Sequence, residues 1–347
     1  MSSTSLSRRA LLGAALATVS NLGFAQVEKP SIKFSQGWLF QATQASFSVA
    51  EKNGYYKAQG LAVDIDRGTG SSASVQRVIS GTHDLAGADV GTIVKWNAEN
   101  PDRPLMMVYI YEDGSPLGTY ALKKNHITKP KDLEGKKLGA PVFDGGRQMF
   151  PVFAATNGID QSKINWTSVD ANLREQLLMK GELDAITGFI TSSIPTLEAL
   201  GVKASDVDMM RYRDFGVDGY GNAIFGTRDF VEKHPKTVAA FVKAVNAGLK
   251  DVITKPDEAI AVLKERDGLV NTTTERKRLT LYVTDSVLTD YTKSHGISTV
   301  DTSKLEKSIA DVLKAFNLTN VKMTAGSVYS DKYLPPKEER IPPMWKF

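Results

Sequence analysis

Leu61 to Ile65 alternates apolar and polar side chains, the period of a half-buried strand. Arg67-Gly68-Thr69-Gly70 breaks the pattern, and Ser71-Ser72 sets cap hydroxyls ahead of a segment whose apolar positions, Val75, Val78 and Ile79, recur at helical spacing. Gly81 stops that helix, and Asp84 to Ala88 returns as a strand. The stretch predicts a βαβ unit with glycines and hydroxyls at the mouth of its helix. Free backbone N–H groups and the helix dipole there suit an acceptor-rich or anionic small solute.

The same reading extends in both directions. Ile32 and Phe34 begin a strand that ends at Gln36-Gly37-Trp38, and a helix from about Ala42 to Asn53 precedes the unit. Lys95 to Glu99 reads as helix and Leu105 to Tyr111 as a strongly apolar strand, broken by Glu112-Asp113-Gly114-Ser115-Pro116. A second series then begins. Lys136 to Ala140, Ile164 to Val169 and Asp184 to Phe189 read as strands, with helices opening at Gly145-Gly146-Arg147 and running over Ala171 to Lys180. Val78-Ile79-Ser80-Gly81-Thr82-His83-Asp84-Leu85 aligns with Leu178-Met179-Lys180-Gly181-Glu182-Leu183-Asp184-Ala185: in both, a helix ends on Gly and an Asp opens a strand three residues later. The repeat predicts two related α/β lobes, each a mostly parallel sheet flanked by helices. With crossings at Gly114 to Thr119 and Tyr212 to Ala223, lobe 1 is expected to be discontinuous, 26–116 with 224–347, and lobe 2 to span 117–223. Beyond it, helices are expected over Thr237 to Lys250, Asp257 to Arg266, Leu279 to Thr292 and Ser303 to Phe316. The proline-rich tail from Leu334 to Pro343 is expected to lie extended on the surface.

The first 25 residues change the picture of where this fold works. Arg8-Arg9, an apolar run from Ala10 to Val19 and a small-residue ending at Ala25 read as an export signal, 1–25, too short to span a bilayer. Ser7-Arg8-Arg9-Ala10-Leu11-Leu12 also resembles the twin-arginine signature, so the export route stays open. The chain has no cysteine, which excludes disulfides, thiolate metal sites, a cysteine nucleophile and a lipid anchor through an N-terminal cysteine. A free periplasmic protein is therefore expected. Without the two signal arginines, 41 basic residues stand against 39 acidic ones, interspersed, and no nucleic-acid or membrane footprint is visible.

No nucleophile elbow, phosphate loop or histidine pair at zinc-ligand spacing occurs, so catalytic and metal residues are expected to be none. Gly68-Thr69-Gly70-Ser71-Ser72-Ala73 fits the G-x-G-x-x-A turn of dinucleotide sites, which keeps open an alternative of another class, an exported dinucleotide-dependent oxidoreductase. The main expectation is a ligand held between the lobes without a cofactor. Gln36, Trp38, Ser71, Ser72 and Asp89 would lie on one side, and Gly145, Gly146, Arg147, Phe189 and Tyr220 on the other. Trp38 offers a stacking platform, and Arg147 could pair with a ligand carboxylate, sulfonate or phosphate. Arg67 and Arg174 are expected to be solvated.

Gly54-Tyr55-Tyr56 with Gly60-Leu61-Ala62-Val63, Gly68-Thr69-Gly70-Ser71, Gly81-Thr82-His83-Asp84, Lys131-Asp132-Leu133-Glu134-Gly135-Lys136-Lys137 and Phe230-Val231-Glu232-Lys233-His234-Pro235 together resemble the NMT1-like and SsuA-like substrate-binding proteins of ABC importers, the nitrate, sulfonate, taurine and thiamine-pyrimidine precursor group. The likeness runs from Phe34 to about Asn317. It implies a two-lobed periplasmic binding protein fold of type II that closes on a small solute and docks on an ABC permease with its ATPase, as a monomer. Gly37-Trp38, Ala45 and Val49-Ala50 look more like the branch for thiamine pyrimidines and aromatic solutes, in which Trp38 would stack on the ligand ring. A sulfonate, taurine or nitrate-type anion is the alternative solute. The related eukaryotic pyrimidine synthases carry a cysteine-rich motif that this sequence lacks, so their activity is not implied.

Overall fold

A computed structural model describes residues 27–345. The export-signal reading of 1–25 lies outside the described residues. Ten strands are found among the described residues: β1 Ser31–Ser35, β2 Ala62–Asp66, β3 Leu85–Asp89, β4 Leu105–Ile110, β5 Leu117–Leu122, β6 Lys137–Ala140, β7 Asn165–Ser168, β8 Ala185–Phe189, β9 Val207–Arg211 and β10 Asn222–Thr227. They form two five-stranded sheets, ordered β2-β1-β3-β10-β4 and β7-β6-β8-β5-β9. In each, four strands run one way and one runs against them: β10 in the first sheet and β5 in the second. The antiparallel strand of each sheet is the one the chain enters on arriving from the other. The backbone passes between the sheets at 111–116 and again at 212–221.

The sequence repeat has a structural reason. Gly81 and Gly181 take left-handed φ values of 75° and 78°, where any Cβ is strained. Three residues on, Asp84 and Asp184 each fold a carboxylate back onto the first strand of their own sheet. Oδ2 of Asp84 accepts from Lys33 N at 2.9 Å, and Oδ2 of Asp184 accepts from Lys137 N at 2.8 Å. The Gly-x-x-Asp motif thus ends a helix and pins the next strand against the sheet centre in one step.

Apolar side chains divide among three cores. One packs the helices Ala45–Lys52, Pro235–Thr254 and Pro256–Arg266 against β1, around Phe34, Phe47 and Phe241. One holds the outer face of the second sheet, around Tyr120, Leu178 and Ile186. The third runs from one sheet to the other beneath the crossings, joining Ala86, Ile110, Leu117, Phe153, Tyr212 and Leu305.

Two C-terminal expectations are corrected. The helix expected over Leu279 to Thr292 begins earlier, at Thr272–Tyr282, and passes through a wide turn, Val283–Val287, before Asp290–His295. Its inward face carries the buried ion pair Glu275–Arg278, which reads as polar surface in a periodicity count. The tail is not simply extended. Tyr333 and Arg340 are buried, and Arg340 donates to the carbonyls of Pro335 and Ile297, at 2.9 and 2.7 Å, which fastens the tail to the first sheet's domain.

Candidate functional site

The cleft lies between the two sheets, at the ends of β1, β3, β8 and β10. About 380 Å3 of space is lined by Gly37, Trp38, Thr43, Gln44, Gly70 and Ser71 with Asn222 on one side, and by Asp144, Gly145, Arg174, Phe189 and Ser192 on the other. Each wall is built by strand ends feeding helix starts, where backbone turns sharply and side chains are free to face inward.

On the first wall, the loop after β1 is held by the turn after β2. Gly68 N donates to Trp38 O at 3.0 Å and Gly70 N to Gly37 O at 3.2 Å. This fastening fixes the Trp38 backbone at the cleft entrance. A Cβ on Gly68 would fall 2.0 Å from Gln36 O, and one on Gly70 would fall 2.3 Å from Phe143 O on the opposite wall. The room over both glycines of the dinucleotide-like turn is therefore taken by protein backbone. Ser71 opens the helix Ser71–Ile79, and its Oγ accepts from Asp89 N at 3.1 Å, which leaves the hydroxyl proton for the cleft.

On the second wall, Asp144 caps the helix Gly145–Asn157 by accepting from Arg147 N at 3.1 Å. Arg174 opens the helix Arg174–Lys180 and is 1% exposed, so the solvated role expected for it is corrected. Its guanidinium pairs with Asp144 at 3.1 Å and Glu175 at 2.7 Å, and donates to Thr187 O and Ser193 Oγ. It lies 5.7 Å from the Trp38 ring, facing it across the cleft. Burial alone would lower the Arg174 pKa, but Glu175 and Asp144 outweigh it and the net direction is upward. Burial also pushes Asp144 up, against the pull of Arg174.

Four of the ten sequence-predicted residues meet in this space: Trp38, Ser71, Gly145 and Phe189. A Cβ on Gly145 would meet Ser71 Oγ at 3.0 Å and Phe189 Cε1 at 3.1 Å, so a side chain there would press on both walls. Asp89 stands at the edge. Its Oδ1 caps the helix Val90–Glu99 through Thr92 N, at 2.9 Å, while buried Oδ2 has no partner. Burial pushes its pKa up to about 7. Gly146 packs behind the wall, its carbonyl accepting from the Tyr212 hydroxyl at 3.2 Å. Ser72 sits at the rim, its N–H 3.4 Å from Phe143 O. Gln36 is buried beneath the Trp38 loop and donates to Trp38 O at 3.0 Å.

The last two lie elsewhere. Arg147 turns away along its own helix, donating to Ala140 O and Ser168 Oγ and stacking on Trp166 at 4.7 Å. Tyr220 packs on the helix Thr302–Ala315, its hydroxyl accepting from Asp301 N at 2.8 Å. It lines a separate hollow with Asp89 and Met149.

Sequence reading missed Thr43, Gln44, Asp144, Arg174, Ser192 and Asn222. The repeat held a usable signal for one of them. Asp89 and Phe189 are matching last residues of β3 and β8, so the start of the helix after β8 was a place to look, and Ser192 is there. Among the described residues, no cluster of three or more His, Asp or Glu is placed to hold a metal, and no helix is long and apolar enough to cross a membrane.

The formylaminopyrimidine-binding protein of Halalkalibacterium halodurans is 27% identical over 229 residues, covering 65% of this chain and 67% of that protein. A 4-amino-5-hydroxymethyl-2-methylpyrimidine phosphate synthase of Schizosaccharomyces pombe is 24% identical over 234 residues, covering 65% and 66%. The alkanesulfonate-binding protein SsuA from Xanthomonas axonopodis pv. citri, solved with bound MOPS, superposes with a TM-score of 0.66 at 14% identity, covering 88% of this chain and all of that one. That likeness fixes the fold as the two-lobed periplasmic binding protein fold. The matches to curated relatives span about two thirds of each relative's length. The family model described as NMT1/THI5 like matches residues 41–259, and this chain belongs to that family.

Proposed function

We propose that the chain is an exported solute-binding protein that closes its two lobes, divided at the crossings 111–116 and 212–221, on a small planar solute and presents it to an ABC permease and its ATPase. It binds without catalysis and without a cofactor. The carrying observation is the composition of the cleft. Trp38 and Phe189 offer aromatic faces, and the one cationic side chain lining the space among the described residues, Arg174, is already paired with two carboxylates. A sulfonate or nitrate needs an uncommitted cation or donor set. An uncharged planar ring needs stacking area and a few polar contacts. The relatives that bind or make pyrimidines fit the same chemistry, whereas the SsuA likeness carries the fold alone.

Closure has its own device. Arg278, on the helix Thr272–Tyr282, donates to Thr191 O at 2.7 Å and Ser192 O at 2.8 Å across the lobes. Thr191 O needs a donor because residue 195, which would supply it within the helix, is Pro195. Glu275, paired with Arg278, accepts from Ala42 N at 2.7 Å beside Thr43 and Gln44. A ligand that contacts both walls favours the state in which these bonds form.

A calorimetric screen of planar heteroaromatics against sulfonates and nitrate tests the reading. Planar solutes are expected to bind, and Trp38→Ala to weaken them. Tight binding of sulfonates with no response from planar solutes would overturn it.

A further inference from the structure

Asn222 is 5% exposed, opens β10 and lines the cleft. Its backbone N and its side-chain Nδ2 both donate to one oxygen, Glu112 Oε2, at 3.0 and 3.1 Å. Glu112 is fully buried in the first crossing, and its carbonyl accepts from Gly221 N in the second, at 2.9 Å. Glu112 Oε2 accepts a backbone N–H and is the unprotonated oxygen of the pair, with any proton of Glu112 on the unpartnered Oε1, so it faces the NH2 end of the Asn222 amide and fixes the orientation of that amide. Nδ2 is then turned inward, and Oδ1, which no donor among the described residues reaches, is left for the cleft.

Other acceptors stand beside it. Gln44 lines the cleft with Oε1 buried and unpartnered. Asp89, the direct register partner of Asn222, keeps Oδ2 buried and unpartnered. Ser71 keeps a hydroxyl proton for the cleft, but the cation does not answer these acceptors. Every nitrogen of Arg174 is committed to Glu175, Asp144, Thr187 O or Ser193 Oγ. Buried acceptors without donors are costly unless a bound molecule brings the donors.

We propose that Asn222 is the specificity-determining residue of this cleft, that it reads N–H donors on the edge of the bound ring, and that Glu112 is the positioning residue that holds its amide in register. The inference rests on the planar-solute reading and adds the demand for N–H groups. It also joins recognition to the hinge, because Glu112 belongs to one crossing and bonds the end of the other.

The test uses two probes of nearly equal shape, 4-aminopyrimidine and 4-methylpyrimidine, titrated calorimetrically into the mature protein at pH 8. The amino probe is expected to bind roughly tenfold more tightly, the size of one to two satisfied hydrogen bonds. Asn222→Leu should bring the ratio close to one, with the amino probe losing more than the methyl probe. Asn222→Ser carries the same test if the leucine variant does not fold. Glu112→Leu should lower the ratio, and Glu112→Gln, which keeps an acceptor oxygen, should restore it. A ratio near one in the wild-type protein, with both probes bound, overturns the inference and leaves the planar-solute reading standing. Binding of neither probe removes both. Loss of both probes in equal measure in Glu112→Leu, with the ratio kept, reduces Glu112 to a structural part and overturns its positioning role.

Discussion

The two walls of the cleft are built from one topology and filled with different chemistry at matched positions. Ser71 and Arg174 are the first residues of matching helices, Asp89 and Phe189 the last residues of matching strands, and Asn222 and Leu117 their partners on the antiparallel strands. Lobe 1 therefore presents a hydroxyl, a carboxylate and an amide. Lobe 2 presents a guanidinium and an aromatic ring, while Leu117 lines the separate hollow beside Tyr220. The cation of lobe 2 is neutralised within its own wall by Asp144 and Glu175, so it braces the wall and leaves no free charge for an anion. At these matched positions the first wall reads polar edges and the second packs, while Trp38 on the first wall and Phe189 on the second supply the aromatic faces.

That contrast can be broken first at Arg174. Arg174→Ala leaves Asp144 and Glu175 buried without their cation and should cost about 3–5 kcal/mol in urea unfolding. A loss under about 1 kcal/mol would return Arg174 to the role of a solvated surface group.

The polar wall should respond to pH. Burial raises Asp89 to about 7 and Glu112 to about 8, so the folded chain keeps protons that the unfolded chain releases near pH 4. Their stabilising contribution is full below the unfolded carboxylate pKa and is lost as pH rises through about 7 and then about 8. Stability of the ligand-free protein should fall by about a few kcal/mol between pH 5 and pH 8.5. Glu112→Gln should flatten the slope. A urea midpoint that rises over that interval would contradict the assignment.

Next in size is the stacking face. Trp38→Ala should weaken a planar solute by about 1–3 kcal/mol, read by calorimetry, with thermal stability little changed. Unchanged affinity would remove Trp38 from the site. The smallest effect is expected at Arg147, whose stack on Trp166 is worth about 0.5–1 kcal/mol. Arg147→Ala should cost about that much stability and leave solute affinity within about twofold, which separates it from Arg174.

The fold was legible because it rests on local signals. Alternation in β2, the glycine stops at Gly81 and Gly181, and the aspartates that follow them are short-range devices, and their repetition exposed the two-lobed plan. The site was partly legible. Trp38, Ser71, Gly145 and Phe189 stand at strand ends and helix mouths, which periodicity locates. Arg147 misled because a glycine-flanked arginine at a helix start looks poised for a ligand, yet its side chain runs back along the wall to Ser168. Arg174 was hidden because its partners, Asp144 and Thr187 O, are brought to it by the sheet and are distant in sequence. Asn222 and Glu112 are 110 residues apart, and only the double crossing places them together. The helix carrying Glu275 and Arg278 was misplaced for a related reason: a buried ion pair has no apolar signature.

The central claim is that the cleft holds a planar, N–H-bearing solute, and its most direct test is native mass spectrometry of the purified protein, with identification of the molecule released on denaturation. The account predicts one copy of an amino-substituted heterocycle per chain. Release of a sulfonate, a nitrate-type anion or a nucleotide cofactor would contradict it.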